Sequence, residues 1–203
     1  MTRKQDYWLS TTITGLQSRN AIGEHVTALF GVAPSERAEN GILWRAELDI
    51  PTGRQRLLIQ SAIPPLEAEK VKTKPVHNWL ARIQEGTQVH YRIHMCPCIR
   101  YNQPGRRGDL RLGTKKSYDR WSDQLAPTAG LTLVPDQTRS HRINPNLPPY
   151  YDGKRPQYLP IDQFDGKATV TDSTRVRKAV LDGIGLYKGY GYGLLSLKII
   201  TDA

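Results

Sequence analysis

The chain has 203 residues and carries 29 Lys and Arg against 19 Asp and Glu, a formal net charge of +10 at pH 7. That surplus points to a polyanionic partner, nucleic acid or an anionic membrane. Membrane insertion is excluded as an expectation, because no apolar run approaches the ~18 residues that span a bilayer. The opening MTRKQDYWLSTTITGLQS is too polar for a signal peptide, so a cytoplasmic protein is expected.

Tyr7 to Thr14 (YWLSTTIT) is rich in β-branched and aromatic residues and reads as a strand. Ser18 to Phe30 places Ile22, Val26 and Leu29 at helical spacing, with Ser18 or Asn20 available as N-cap. Ile42 to Leu48 and Arg56 to Gln60 read as strands joined by the turn DIPTGR. A short helical or irregular piece is expected around Leu66 to Val71. In Thr87 to Met95 (TQVHYRIHM), apolar Val89, Tyr91, Ile93 and Met95 alternate with His90, Arg92 and His94. The order β-α-β-β-(α)-β is that of a ferredoxin-like unit.

Cys96 and Cys98 flank Pro97, and with no second pair a zinc site is not expected. No metal or cofactor is expected, and the two thiols read as buried or idle. Beyond them, Leu110–Thr114 reads as a strand, Ser117–Leu125 as a helix and Leu131–Val134 as a strand. The stretch SHRINPNLPPYYDGKRPQYLP reads as an extended loop or hairpin. Phe164–Thr171 is a strand, Ser173 opens a helix with Val176, Ala179 and Val180 inward, and Leu194–Ile200 is the last strand. The expected architecture is α+β: two tandem ferredoxin-like βαββαβ domains, over residues 1–96 and 97–203.

Residues 183–193 form a glycine-rich loop, with Lys188 its one charge and Gly189, Gly191 and Gly193 alternating with tyrosines. It is neither a Walker A loop nor a dinucleotide fingerprint, since both run strand–loop–helix and here a helix precedes the loop. Two explanations stand side by side: glycines that let the backbone approach phosphate or RNA, and a helix C-cap that leads into a loosened strand.

The segment GIGLYKGYGYGLLSL resembles the C-terminal signature of the CRISPR-associated repeat-RNA endoribonucleases of the RAMP superfamily, and within them the CasE family of the type I-E Cascade complex. HVTALFG, GILWRAEL, RLLIQSAIPP and VHYRIHMCP agree with that family in order. The resemblance implies two ferredoxin-like domains, recognition of the CRISPR repeat hairpin, and metal-independent cleavage at its 3′ base by attack of a 2′-hydroxyl. A 2′,3′-cyclic phosphate would result. It also implies continued residence in Cascade beside the backbone protein near the 3′ end of the guide RNA. The alternative is a catalytically silent stem-loop binding subunit.

Such chemistry needs an acid or base near neutrality and a cation for the phosphorane charge. The family carries a histidine on its first helix, and here that helix holds His25, the candidate acid/base, with Arg19 and Lys188 as candidate cations. Ile22 stands where the family has a tyrosine. A gapless fit on Leu29 and Phe30 puts Gly23 at the histidine position and Asn20 at the tyrosine, a two-residue offset worth about 200° of helix rotation. Candidate RNA contacts are Arg92 with its neighbours His90 and His94, the basic stretch Arg106, Arg107, Arg111, Lys115 and Lys116, then Arg139, Arg142, Lys154 and Arg155, and Gly189, Gly191 and Gly193.

Overall fold

The computed structural model describes residues 7–16, 18–49, 54–66, 68–96, 98–100, 110–112, 117–143, 150–152, 155–157 and 159–201. The candidates Arg106, Arg107, Lys115, Lys116 and Lys154 lie outside the described residues.

The first sheet holds β1 (Tyr7–Thr14), β2 (Leu43–Asp49), β3 (Arg54–Ser61) and β4 (Lys72–Val76), in the antiparallel order β2-β3-β1-β4. Helix α1 (Arg19–Ala28) starts at Ser18, whose hydroxyl accepts the Ala21 N–H at 3.1 Å. Its Ile22 and Val26, with Leu29 and Phe30 beyond it, pack on Trp44, Ala46, Leu57 and Ile59 of one sheet face.

The second sheet contains β5 (Gln88–Met95), β8 (Leu131–Leu133), β12 (Ile161–Val170) and β13 (Ser196–Ile199) in the order β13-β5-β12-β8, with β9 (Arg139–Ile143) also on β12. A helical segment made of α2 (Ser117–Arg120), a π-type turn over Trp121–Leu125 and α3 (Ala126–Thr128) covers it together with α4 (Ser173–Asp182). Trp121 is fully buried between Tyr91 and Phe164, with ring centroids 5.6 and 5.9 Å away. Two small hairpins complete the described residues: β6 (Cys98–Arg100) with β7 (Leu110–Leu112), and β10 (Tyr150–Asp152) with β11 (Arg155–Gln157). Arg111 and Arg155 lie on these hairpins.

Both sheets have the ferredoxin-like order, and the class is α+β as expected. One strand assignment is corrected. Thr87–Met95 was expected to close the first unit, yet β5 pairs with β12 and β13 and is central to the second sheet. The fourth strand of the first sheet is β4, which lacks an apolar alternation. As an edge strand it needs little more than its ladder with β1, and it tolerates Pro75 opposite Trp8. The stretch expected as loop or hairpin also supplies β9, a true sheet strand.

The sheets are not independent. Tyr7, Leu9 and Val76 of the first reach into the core of the second, and Gln60 donates to the Val180 carbonyl of α4 at 2.7 Å. Burial pushes the Tyr7 hydroxyl up to about 12.

Candidate functional site

α4 ends at Gly183 in a positive-φ conformation, and the chain then turns through Lys188–Tyr190 into β13. This glycine turn packs on β2 and α1 along one side, and Gly185 and Leu186 are exposed on the other. Gly191 has φ +86°, and a Cβ there would stand 2.6 Å from the Trp44 ring. Trp44 Nε1 donates to the Gly189 carbonyl at 3.2 Å. The same carbonyl faces α1, where a Cβ on Gly23 would be 2.9 Å away. The Gly193 N–H donates to the His94 carbonyl at 2.8 Å, and the Ile184 N–H to the Gly193 carbonyl at 2.9 Å. Of the two explanations for the glycine run, Gly183 fits the helix C-cap, whereas Gly191 and Gly193 serve close packing against Trp44 and Ile184, which neither explanation foresaw. Gly189 sits beside Arg37, with a Cβ 3.6 Å from its Nε.

Arg19 joins the turn to α1. Its guanidinium is buried, donates from Nη1 to the Tyr190 carbonyl and lies 4.8 Å from the centroid of the Tyr192 ring. Nη2 is buried and lacks a hydrogen-bond partner. Burial lowers the Arg19 pKa, and Tyr192 and Cys96 oppose that shift. Tyr192 is held by its own hydroxyl, which donates to Leu159 O at 2.9 Å. Lys188 donates from Nζ to the Asp182 carbonyl at 2.8 Å, which caps α4. Half-burial lowers its pKa, with Asp182 acting against this and Arg37 and Lys178 adding to it.

His25 is half-exposed. It stands two residues beyond Gly23, about 200° round the helix, so α1 presents Gly23 and Arg19 to the turn and turns His25 away from it. Arg19, Lys188 and the glycines come together; His25 does not join them.

A model of the family described as CRISPR associated protein matches residues 10–198. The chain belongs to that family. A comparison with curated proteins finds no match. Among solved structures, the chain is similar to Thermus thermophilus Cse3 bound to an RNA representing a pre-cleavage complex, at 18% identity and a TM-score of 0.71 over 96% of this chain and 99% of that one. It is similar to Cas6e from Escherichia coli K-12 at 20% identity and a TM-score of 0.69, over 94% and 98% of the two chains. A chain of a CRISPR RNA-guided surveillance complex, pre-nicking, is 26% identical with a TM-score of 0.65, over 95% and 100%.

A polar network links the two sheets. Buried Arg45 on β2 donates to Ser196 Oγ at 3.0 Å and to Glu47 at 2.8 Å. Glu47 lies 3.7 Å from Arg92 Nη1, and Arg92 pairs with Asp165. His94 is not the surface cation that the stripe His90, Arg92, His94 suggested. It is buried, with Nε2 against Gln163 Oε1 at 2.8 Å. Burial, with Arg45 close by, lowers its pKa to about 3 even though the Gln163 bond favours the proton. Arg142 and Arg139 are exposed on β9, and Arg142 pairs with buried Asp162 at 2.8 Å.

Sequence reasoning did not foresee that Gly23 and Trp44 pack against the glycine turn, or that Tyr192 lies under Arg19. A glycine inside an apolar-spaced helix is the one signal that could have flagged a close backbone approach there. Nothing local announces that Trp44 and Tyr192 meet the two ends of one site.

Proposed function

We propose that this chain binds the stem-loop of a CRISPR repeat RNA, cleaves it at its 3′ base, and stays with the product as a subunit of a Cascade-type surveillance complex, beside the backbone protein near the guide 3′ end. The observation that carries this reading is a full-length likeness to endoribonuclease chains that hold RNA, in a protein of net charge +10. In the chemistry proposed, the ribose 2′-oxygen attacks the adjacent phosphorus and gives its proton to a base. The P–O5′ bond breaks as an acid protonates the leaving oxygen, leaving a 2′,3′-cyclic phosphate and a 5′-hydroxyl without help from a metal.

His25, half-exposed on α1, is the proposed acid/base. Arg19 contributes by fixing the glycine turn, and Lys188 is the cation that RNA would draw from its carbonyl partner. Arg92, Arg139 and Arg142 serve as phosphate contacts, together with the basic hairpin residues. The test is incubation of the purified chain with its cognate repeat hairpin in EDTA. Cutting by the wild type that His25→Ala abolishes, with binding retained, is the expected result. Robust cutting by His25→Ala would sink the role of His25.

A second reading has its own support. Gly23, not His25, occupies the helix position against the Gly189 carbonyl. That geometry favours a stem-loop binding subunit without catalysis, for which the wild type binds the hairpin and leaves it intact.

A further inference from the structure

The outer face of the second sheet carries an arrangement that hairpin cleavage does not require. Along β5, Val89, Tyr91 and Ile93 point into the core, so His90 and Arg92 point the other way. The strand registers set Lys198 of β13 and Lys167 of β12 directly beside His90, on either side of it. His90 and Lys198 are exposed and Lys167 is half-buried. Lys167 and Lys198 thus stand two strands apart across His90, and none of the three has an ion pair with a described carboxylate. The next row is Ser196, Arg92, Asp165 and Arg139, where cations do alternate with an acid. An uncompensated row is the signature of an anion supplied from outside.

The occupant follows from what surrounds the row. Ser196, Arg92, Asp165, Arg139 and His141 share this face and none is apolar; half-buried Ile200 at its edge is a single apolar residue, too little for the apolar centre of a protein interface among the described residues. Among the described residues of the row there is also no stacking platform, since its one ring is His90. What remains is a pair of lysines two strand separations apart, about 9.6 Å, with a polar ring between them, suited to a phosphodiester backbone read without regard to sequence. The face is continuous with the candidate site, because the same strand β5 leads from His90 through Arg92 to His94, beside the glycine turn.

We propose that Lys198, His90 and Lys167 form a track for the backbone of single-stranded RNA that flanks the repeat hairpin. This rests on the RNA-binding reading above and extends it to a segment outside the stem-loop.

The experiment compares the full chain with the double variant Lys167→Gln/Lys198→Gln on two RNAs: the repeat hairpin alone, and the same hairpin with about ten unpaired uridines added at either end. The wild type should bind an extended RNA more tightly than the bare hairpin. The variant should lose that gain, weakening roughly fivefold to tenfold on the extended RNA, with its salt slope reduced by about 1.4. On the bare hairpin it should change less than about twofold, which also shows that it is folded. Lys167→Arg/Lys198→Arg should restore the gain. Equal loss on both RNAs assigns the row to the hairpin and overturns the track, and so does an unchanged affinity for the extended RNA. Failure of the wild type to bind any hairpin overturns the RNA-binding reading itself.

Discussion

Arg19 at the start of α1 lies over the ring of Tyr192, 4.8 Å from its centroid, and binds the Tyr190 carbonyl, so one buried cation fastens the first helix to the glycine turn. Among the described residues the guanidinium has no carboxylate to offset its lost hydration, and Nη2 is unsatisfied. Such a group is costly to bury and costlier to remove without filling its space. Arg19→Ala should therefore destabilise the fold by about 2–4 kcal/mol in urea unfolding. Arg19→Met, which refills the volume and removes the desolvated charge, should lose less than about 1.5 kcal/mol. Equal losses for the two would mean that the cation–π contact outweighs packing.

Three glycines separate backbone strain from crowding. Gly15 has open space and no positive φ, Gly86 has φ +83° with open space, and Gly191 has φ +86° with the Trp44 ring 2.6 Å from the missing Cβ. Alanine should be tolerated at Gly15, cost about 1 kcal/mol at Gly86 and cost several times that at Gly191. Thermal melting of the three variants checks the order. Equal effects at Gly86 and Gly191 would remove the packing explanation for the turn.

His94 makes stability depend on pH. Its Nε2 faces an acceptor, Gln163 Oε1, so the neutral ring carries its proton there and leaves Nδ1 buried without a partner. Burial and the nearby Arg45, Arg19 and Arg92 hold the folded pKa at about 3, against 6.5 for an ordinary histidine. Below pH 6.5 the unfolded chain takes a proton that the folded one refuses. The contribution is thus complete above that pH and drains away as pH falls toward 3, by up to about 1.4 kcal/mol per unit. His94→Gln should flatten this component. The stability difference between wild type and variant, measured by urea unfolding near pH 7 and near pH 5, should shrink at the lower pH. A constant difference would contradict a neutral His94.

Lys188 spends its amine on the Asp182 carbonyl at the end of α4. Lys188→Met should lower stability by about 1 kcal/mol in the absence of RNA, through loss of that cap. No change in the melting temperature would show that the amine is held in reserve for another partner.

The elements with caps and apolar spacing were legible in the sequence: α1 through Ser18 with Ile22 and Val26, and α4 through Val176, Ala179 and Val180. The alternation in β5 announced a strand and could not name its neighbours, because Val89, Tyr91 and Ile93 would face a core on either sheet. KTKPV of β4 and RSHRI of β9 were illegible for a different reason: as lightly buried strands they carry almost no inward apolar pattern. The glycine turn advertised freedom, whereas its neighbours Trp44, Gly23 and Arg19 leave it little; those contacts join residues far apart in the chain, and composition does not record them.

The clasp between Arg19 and Tyr192 has a consequence for timing. During synthesis the first sheet and α1 leave the ribosome long before their counterpart exists, and the helix must wait with a bare guanidinium for a segment translated much later. The candidate site is thus completed only once the glycine turn has emerged, and a chain halted before residue 187 would carry α1 and the first sheet without the segment that Arg19 grips.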